Sequence, residues 1–171
     1  TITIPNTTGT VALTSDITSG LAEADLWQIT ANVNSSGDLT SNWARPDEVL
    51  TSYMGTGMTE SSGIFSFPST GYYLIMVQAY LSSPSSGVGS AQLNIKGTDD
   101  DFSSETTLGV NRIYQSSNNN YTTTFSEVIV DITDTSNQKI KFNFSKSGDG
   151  QIQGATSGSS SKFGFYKLGE T

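Results

Sequence analysis

The sequence predicts an all-β fold, and three observations lead to that prediction. Strand-forming Thr, Tyr, Phe, Val and Ile recur in short runs, and Ser, Gly and Asn are concentrated between the runs. From Leu26 onward the runs follow one another at short intervals, separated by breaks such as "SSPSSG" and "QSSNNN". Several runs alternate apolar and polar residues, as a half-buried strand does. These patterns favour a sandwich or barrel, and above all a double-sheet jelly roll.

The strands can be placed from the same runs and breaks. The segments "SAQLNIK" and "QKIKFNFSK" are the clearest, because each puts apolar residues on one face and polar residues on the other. We expect Leu93 and Phe142, on the apolar faces, to lie in the core. The predicted strands are 26–33, 49–54, 62–67, 72–82, 88–97, 107–114, 122–132, 138–146 and 162–168.

The 171 residues suit one domain with a short appendage. We predict a head domain over residues 26–171, preceded by a linking segment over residues 1–25. Within that segment Ile17, Leu21 and Ala24 are spaced as on one helical face, which permits a short helix at 14–25. Gly20 disfavours that helix by about 1 kcal/mol, and an irregular linker is the alternative.

Composition excludes several classes of function. The chain has no His and no Cys, so it offers no imidazole base, thiol nucleophile, disulfide or zinc site of the usual kind. A net charge of −8 argues against binding nucleic acid, which requires clustered Lys and Arg. No apolar run approaches the roughly 20 residues that cross a bilayer as a helix, so we expect no membrane insertion.

One strand, "GYYLIMVQAYL", is apolar on both faces, which a two-layer sandwich does not require. Parts of "FSEVIVDI" and "KFGFYKL" share this property. A sandwich buries one face of each sheet, so the second apolar face needs another cover. Either the first 50 residues fold over it or sister subunits do, and we favour a subunit interface. The interface prediction comprises Tyr72, Leu74, Met76, Tyr80, Phe125 and Ile129.

Two motifs resemble the C1q/tumour-necrosis-factor superfamily. "GIFSFPSTGYYLIMVQAYL" is similar to that family's Gly-x-Phe strand followed by Gly-Tyr-Tyr and a long apolar strand. The closing segment around Ser161, Phe163 and Phe165 is similar to the family's last strand. The resemblance covers roughly residues 26–168 with gaps. It implies a ten-strand-type jelly roll that assembles as a homotrimer around a three-fold axis and is usually non-enzymatic.

The opening stretch, "TITIPNTTGTVALTSDI", resembles a phrase of bacteriophage tail-fibre and virion-appendage proteins. The phrase typically stands where a trimeric shaft gives way to the next module. This resemblance implies a virion protein, foremost a tail fibre or other appendage of a marine phage. Its partners would then include other virion proteins, contacted through the N-terminal shaft.

Acidic residues are candidates for metal ligands and for catalytic groups. Asp99, Asp100 and Asp101 follow a strand, and adjacent aspartates on a turn can supply oxygen ligands to Ca²⁺; a solvated loop is the alternative. Carboxylates such as Glu105 and Glu127 raise the question of glycosidase chemistry, which needs two carboxyls at a set separation. Nothing in the sequence fixes such a pair, and we predict no enzyme activity and no required cofactor, with calcium the one possible ion.

Recognition is expected in the polar loops 114–124 and 146–162. The candidate receptor-binding residues are Asn118, Asn119, Asn120, Tyr121, Asp149 and Gln151, facing a glycan or protein on a bacterial surface. The expected function is thus a non-enzymatic, C-terminal head of a trimeric virion fibre that attaches to its host. The alternatives are a trimerisation cap or capsid decoration without receptor binding, a secreted C1q-like adhesion or matrix protein, and, more remotely, a depolymerase.

Overall fold

The computed structural model describes residues 20–47, 50, 52–83, 89–115, 120–158 and 160–171. These residues form strands and loops without a helix, so the all-β prediction is confirmed. The described residues accordingly contain no helix that could span a bilayer. The strands are β1 Ala24–Ile29, β2 Gly37–Asp38, β3 Trp43–Ala44, β4 Thr59–Ser61, β5 Ile64–Ser66, β6 Gly71–Ser83, β7 Gly89–Thr98, β8 Thr106–Gln115, β9 Asn120–Ile132, β10 Lys139–Ser147, β11 Gln151–Ile152 and β12 Lys162–Gly169.

The strands form two antiparallel sheets of six strands each. In the first, here called sheet A, β6 pairs along its whole length with β9 on one side. On its other side β6 pairs with β12 and β11, and β12 leads on to β1 and β3. In the second, sheet B, β7 lies between β8 and β10, while β10 also pairs with β2 and β5, and β5 pairs with β4.

The core lies between the sheets and is built by the alternation seen in the sequence. On β6, Tyr73, Ile75 and Val77 are at most 1% exposed, and on β10 Phe142 is fully buried. Leu93 on β7 is also fully buried, as its position in the alternating run predicts. Each strand contributes every second side chain, so the two sheets close on a continuous apolar layer.

Aromatic side chains fill the centre of that layer. Phe65 of β5 stacks on Phe165 of β12 with ring centroids 5.2 Å apart. Trp27 and Trp43 meet Phe65 edge-on at 5.3 and 4.9 Å. Both tryptophans thus pack within the head, since Trp27 is 8% exposed and Trp43 packs against the core.

The predicted strand at 62–67 contains β5, but it begins with a turn that joins β5 to β4 in a hairpin. β4 and β5 pair through Ser61 and Ile64, so the turn consists of Ser62 and Gly63. Both turn residues have positive φ, 53° and 85°, as a two-residue hairpin turn requires. A Cβ on Gly63 would lie 2.1 Å from the Leu39 carbonyl oxygen, which explains why only glycine fits.

Two further sequence predictions are wrong in part. The predicted strand at 49–54 is not a strand among its described residues; Met54 alone makes an isolated bridge to Ala24. The possible helix at 14–25 is described only from residue 20 onward, and there the chain is not helical and its last two residues begin β1. The linking segment 1–25 is likewise outside the described residues up to position 19, so its shaft character stays a prediction.

Candidate functional site

The outer face of sheet A carries the six residues predicted for a subunit interface. Strand pairing places Leu74 beside Ile129, and Tyr166 follows on β12. Phe125 is 66% exposed, Ile129 61% and Tyr72 43%. We call this surface the apolar face; it consists of Tyr72, Leu74, Met76, Tyr80, Phe125 and Ile129.

A shallow groove of about 110 Å³ crosses the apolar face toward β1. Its apolar walls include Leu26, Met76, Phe125 and Tyr166. Gly164 forms the floor, and a Cβ there would lie 2.6 Å from the Tyr166 ring. Glycine therefore permits the ring to lie down on the sheet and leaves room for an incoming side chain.

Residues 20–47 leave the apolar face open. They add β1 and β3 to sheet A beyond β12, and so extend the sheet in its own plane. One alternative was that the first 50 residues cover this face. Residues 20–47 do not cover it, and residues 1–19 are outside the described residues. The exposed apolar side chains thus remain available to another chain.

Two carboxylates lie among the apolar side chains of the apolar face. Glu127 pairs with Met76 and Asp131 with Tyr72 along the two strands. Both carboxylates are on exposed positions of β9. Such charges disfavour random aggregation of the edge and restrict which surfaces can pack there.

A buried ion pair, which sequence reasoning missed, holds the loop after β3 against sheet A. Asp25 on β1 accepts hydrogen bonds from Arg45 Nε and Nη2, both at 2.8 Å, and from the Met58 backbone N–H at 2.7 Å. The guanidinium lies between the rings of Trp27 and Tyr53, 4.5 and 4.4 Å from their centroids. The hydrogen bond to Asp25 raises the pKa of Arg45. One signal was available: an Asp within the apolar run "ADLWQI" needs a cationic partner when buried.

The acidic triplet makes hydrogen bonds and an ion pair within the protein, and calcium binding there stays a prediction. Asp100 Oδ1 accepts hydrogen bonds from Thr98 Oγ1 at 2.7 Å and from the Ser104 N–H at 2.9 Å, while Asp101 pairs with Lys139. The hydrogen bonds from Ser104 and Thr98 lower the pKa of Asp100. Among the described residues no three acidic side chains are grouped as metal ligands would be. Asp100 therefore stabilises the turn, and Asp101 joins the turn to β10 through Lys139.

Carboxylates and lysines form a network on the outer face of sheet B. Lys141 Nζ lies 2.8 Å from Asp38 Oδ2 and 2.6 Å from Glu105 Oε2, and Lys96 reaches Glu105 at 3.2 Å. Burial opposes ionisation of Asp38, but hydrogen bonds from Lys141 and Asn143 outweigh it and lower the pKa. Hydrogen bonds from Lys141 and Lys96 also lower the pKa of Glu105. A general acid for glycoside hydrolysis needs a raised pKa, so these shifts run in the opposite direction.

The predicted receptor-binding residues are only partly described. Asn118 and Asn119 lie outside the described residues, and Asn120 begins β9. Tyr121 is 48% exposed and stacks on Tyr80 with centroids 5.6 Å apart. Tyr121, a predicted binding residue, thus contacts the apolar face through Tyr80. Receptor binding by the loop and subunit contact through the apolar face both stay predictions.

The other predicted loop, 146–162, contains the turn between β10 and β11, then β11 itself and the connection to β12. Gln151 on β11 is tied to the sheet, because its amide donates to Ser82 Oγ at 3.0 Å. Asp149, in the turn itself, is partly buried. The two residues lie at the same end of the sandwich as the β8–β9 connection, because β10 ends there beside the start of β7.

Comparison of the whole arrangement with solved structures decides the fold. The structure of Eiger TNF from S. frugiperda matches with a TM-score of 0.61 and 18% identity, over 86% of this chain and 93% of that chain. The fold is a TNF-like jelly roll. Murine APRIL at pH 8.5 matches the jelly roll with a TM-score of 0.59 and 16% identity, over 85% of this chain and 98% of that chain.

Murine APRIL at pH 5.0 gives a TM-score of 0.58 and 14% identity, over 85% of this chain and 99% of that one. No family model matches the sequence, and no curated protein matches it. At these identities the similarity concerns the fold, and function must be argued from the surfaces.

Proposed function

We propose that this jelly roll is the head of a homotrimeric, non-enzymatic attachment protein. The observation that carries the proposal is the apolar face, with Phe125 66% and Ile129 61% exposed on an outer sheet surface. Burying such side chains against sister subunits is favourable by roughly 25 cal/mol per Å² of apolar area. The resemblance to the C1q/TNF superfamily, which implies a trimer around a three-fold axis, supports the same assembly.

Attachment to a bacterial surface, from a position on a phage virion, is the finer part of the proposal. It is supported by the resemblance of residues 1–17 to tail-fibre and appendage proteins. Three heads on one fibre would multiply weak contacts with a receptor, since linked sites raise the effective concentration. Loops at the β8–β9 and β10–β11 connections would make those contacts. We therefore place the protein on a virion fibre or capsid appendage.

Sedimentation of the purified chain tests the assembly. We expect a single species with three times the mass of one chain over micromolar concentrations. A stable monomer at those concentrations would contradict the assembly proposal, because the apolar face would then be exposed in solution.

Adsorption tests the attachment role separately. Labelled trimer should adsorb to cells of at least one strain in a panel of marine bacteria. Replacing Asn118, Asn119, Asn120 and Tyr121 together by Ala should abolish adsorption without dissociating the trimer. A trimer that adsorbs to no strain would favour the structural alternative, a cap that registers the shaft.

A further inference from the structure

A second surface lies on the outer face of sheet B and differs in character from the apolar face. It is a shallow depression of about 560 Å³ at the end of the sandwich where β8 runs toward β9. Tyr114, near the end of β8, is 74% exposed on its rim. We call this surface the polar depression.

Strand register explains how the depression forms. β7 is flanked by β10 and β8, and side chains opposite one another on neighbouring antiparallel strands point to the same side of the sheet. Six residues that line the depression consequently form two adjacent rows. The rows across β10, β7 and β8 are Ser145–Gln92–Arg112 and Ser147–Ser90–Tyr114.

Arg112 is held in place by a chain of amides. Its Nε donates to Gln92 Oε1 at 2.5 Å, and the Gln92 amide donates to Asn94 Oδ1 at 2.6 Å. The chain continues from Asn94 to Asn143 and ends on the Asp38 carboxylate. Because Nε is committed to Gln92, the plane of the guanidinium is fixed. Its two terminal nitrogens are the atoms that bind a carboxylate or sulfate in a bidentate manner.

The charge of the depression is opposite to that of the chain. The protein has a net charge of −8, yet none of the described residues that line the depression is acidic, whereas Arg112 on its outer face is cationic. The ion pairs between described residues use other cations: Arg45, Lys96, Lys139, Lys141 and Lys167. A local positive site on an acidic protein indicates an anionic ligand.

The remaining groups fit a sugar. Ser90 and Ser147 hydroxyls lie 3.1 Å apart and can both donate and accept, as the hydroxyls of a pyranose ring require. The exposed Tyr114 ring offers an apolar face with a polar tip at little cost in conformational entropy. An open, shallow shape with rows of hydroxyl and amide groups suits a saccharide better than an apolar peptide side chain.

We propose that the polar depression binds an acidic saccharide, with Arg112 on its carboxylate or sulfate and Tyr114 against the sugar ring. Ser90, Ser147 and Gln92 contact the sugar hydroxyls. This inference rests on the proposed attachment role and names its receptor class. Tyr114 is the last but one residue of β8, and Ser147 ends β10 directly before the turn with Asp149, so the site adjoins both predicted receptor loops.

Titration calorimetry with three oligosaccharides of equal length tests the site. The probes are an oligogalacturonate, which carries carboxylates, a sulfated galactan fragment and a neutral galactan fragment. We expect binding of at least one acidic probe and at least tenfold weaker binding of the neutral one. Arg112→Gln and Tyr114→Ala should each weaken the acidic probe about tenfold or more. Lys139→Gln is the control: it also removes one positive charge, but at the start of β10, away from the depression at the end of that strand. It should leave the affinity for the acidic probe within about twofold.

Three results would overturn the inference: no binding of any probe, equal affinity for the neutral fragment, or unchanged affinity in Arg112→Gln. The carboxylated and sulfated arms identify which anion the site prefers. Circular dichroism and sedimentation of each variant guard against misfolding, and Arg112→Lys, which keeps the charge without the fork, should bind more weakly than wild type.

Competition separates this inference from the attachment role. If the trimer adsorbs to bacterial cells and neither acidic probe competes, the saccharide inference is wrong and the attachment role stands. A trimer that binds the acidic probes but adsorbs to no cells would contradict the attachment role and support the site itself.

Discussion

The two sheets present opposite chemistry on their outer faces although they share one core. On sheet A the outward residues include Phe125 and Ile129, each more than 60% exposed, and the sheet's buried ion pair, Asp25–Arg45, lies on the core side. On sheet B the outward residues include several amides and ion pairs, with Lys141 between two carboxylates. This contrast supports the proposal that the two sheets face different surroundings in the assembled protein. Water or a polar ligand suits sheet B, and protein suits sheet A.

The largest expected effect comes from placing a charge on the apolar face. Ile129→Glu should convert the proposed trimer to monomers, because a buried unpaired carboxylate costs about 3 kcal/mol or more, on the order of a hundredfold in dissociation constant. The new charge would also stand two residues from Glu127 and Asp131 on the same face of β9. Sedimentation velocity measures the outcome.

Val110→Glu is the matched control. Val110 is an aliphatic residue, 47% exposed, in β8 of sheet B. We expect this variant to sediment like wild type. If both variants stay trimeric, or both dissociate, the contrast between the two sheets is not the basis of assembly.

The next largest effect is expected from the ion pair between Asp25 and Arg45, which lies on the core side of sheet A. Asp25→Asn should destabilise the fold by about 2 kcal/mol, because an amide NH₂ would replace a buried oxygen that accepts hydrogen bonds, while water still reaches part of the Arg45 side chain. The Asp25 side chain is 2% exposed and also accepts a hydrogen bond from the Trp27 indole N–H at 2.9 Å. Urea unfolding at a fixed protomer concentration measures the loss.

The same substitution in an exposed pair provides its control. Asp101→Asn removes the partner of Lys139, and the Asp101 side chain is 58% exposed. We expect a loss of about 1 kcal/mol or less. Equal losses in the two variants would mean that burial of the Asp25–Arg45 pair adds nothing.

A smaller effect is expected from pH on sheet B. The folded-state pKa values of Asp38 and Glu105 are lowered from 3.8 and 4.5, so their contribution is complete above those values and is lost as pH falls through the lower, folded-state ones. Lys141→Gln should therefore reduce the free energy of unfolding by about 1 kcal/mol or less at pH 7. That difference should shrink below about pH 4.

Urea unfolding of wild type and Lys141→Gln at pH 7, 5 and 3 tests this dependence. A difference that grows toward pH 3 would contradict the assigned direction of the pKa shifts.

The smallest effect is expected in the groove of the apolar face. Gly164→Ala would place a Cβ 2.6 Å from the Tyr166 ring, which must then move into the groove. We expect a few-fold weaker trimer and little change in far-ultraviolet circular dichroism. Gly169→Ala on the same strand meets nothing within 4 Å and should not change assembly. A stronger trimer in Gly164→Ala would mean that the groove is a void between subunits, which the methyl group fills.

Prediction from sequence was accurate wherever a strand is long and its alternation regular. The runs at 72–82, 88–97 and 138–146 match β6, β7 and β10 to within about one residue at each end. It failed for the short pairings. β2, β3 and β11 have two residues each, too few for a period to be read.

The candidate sites divide in the same way. The apolar face could be predicted, because one strand supplies most of it and its register with β9 keeps the pattern. The polar depression was missed, because its rows combine single residues from three strands that are distant in sequence. In the sequence Arg112 and Ser145, for example, have no visible connection. In the fold they lie on the two sides of Gln92, because β7 pairs with both of their strands.

By itself the sequence determined the fold class, the core side of the long strands and the second apolar face of β6. Those properties follow from side-chain alternation, which is local and has a period of two. Only the tertiary structure decided which charges are buried and which face outward. The partner of Asp25 is 20 residues away, and the two carboxylates that pair with Lys141 come from β2 and from the residue before β8. Such pairs depend on strand order and register, which no single stretch of the chain contains.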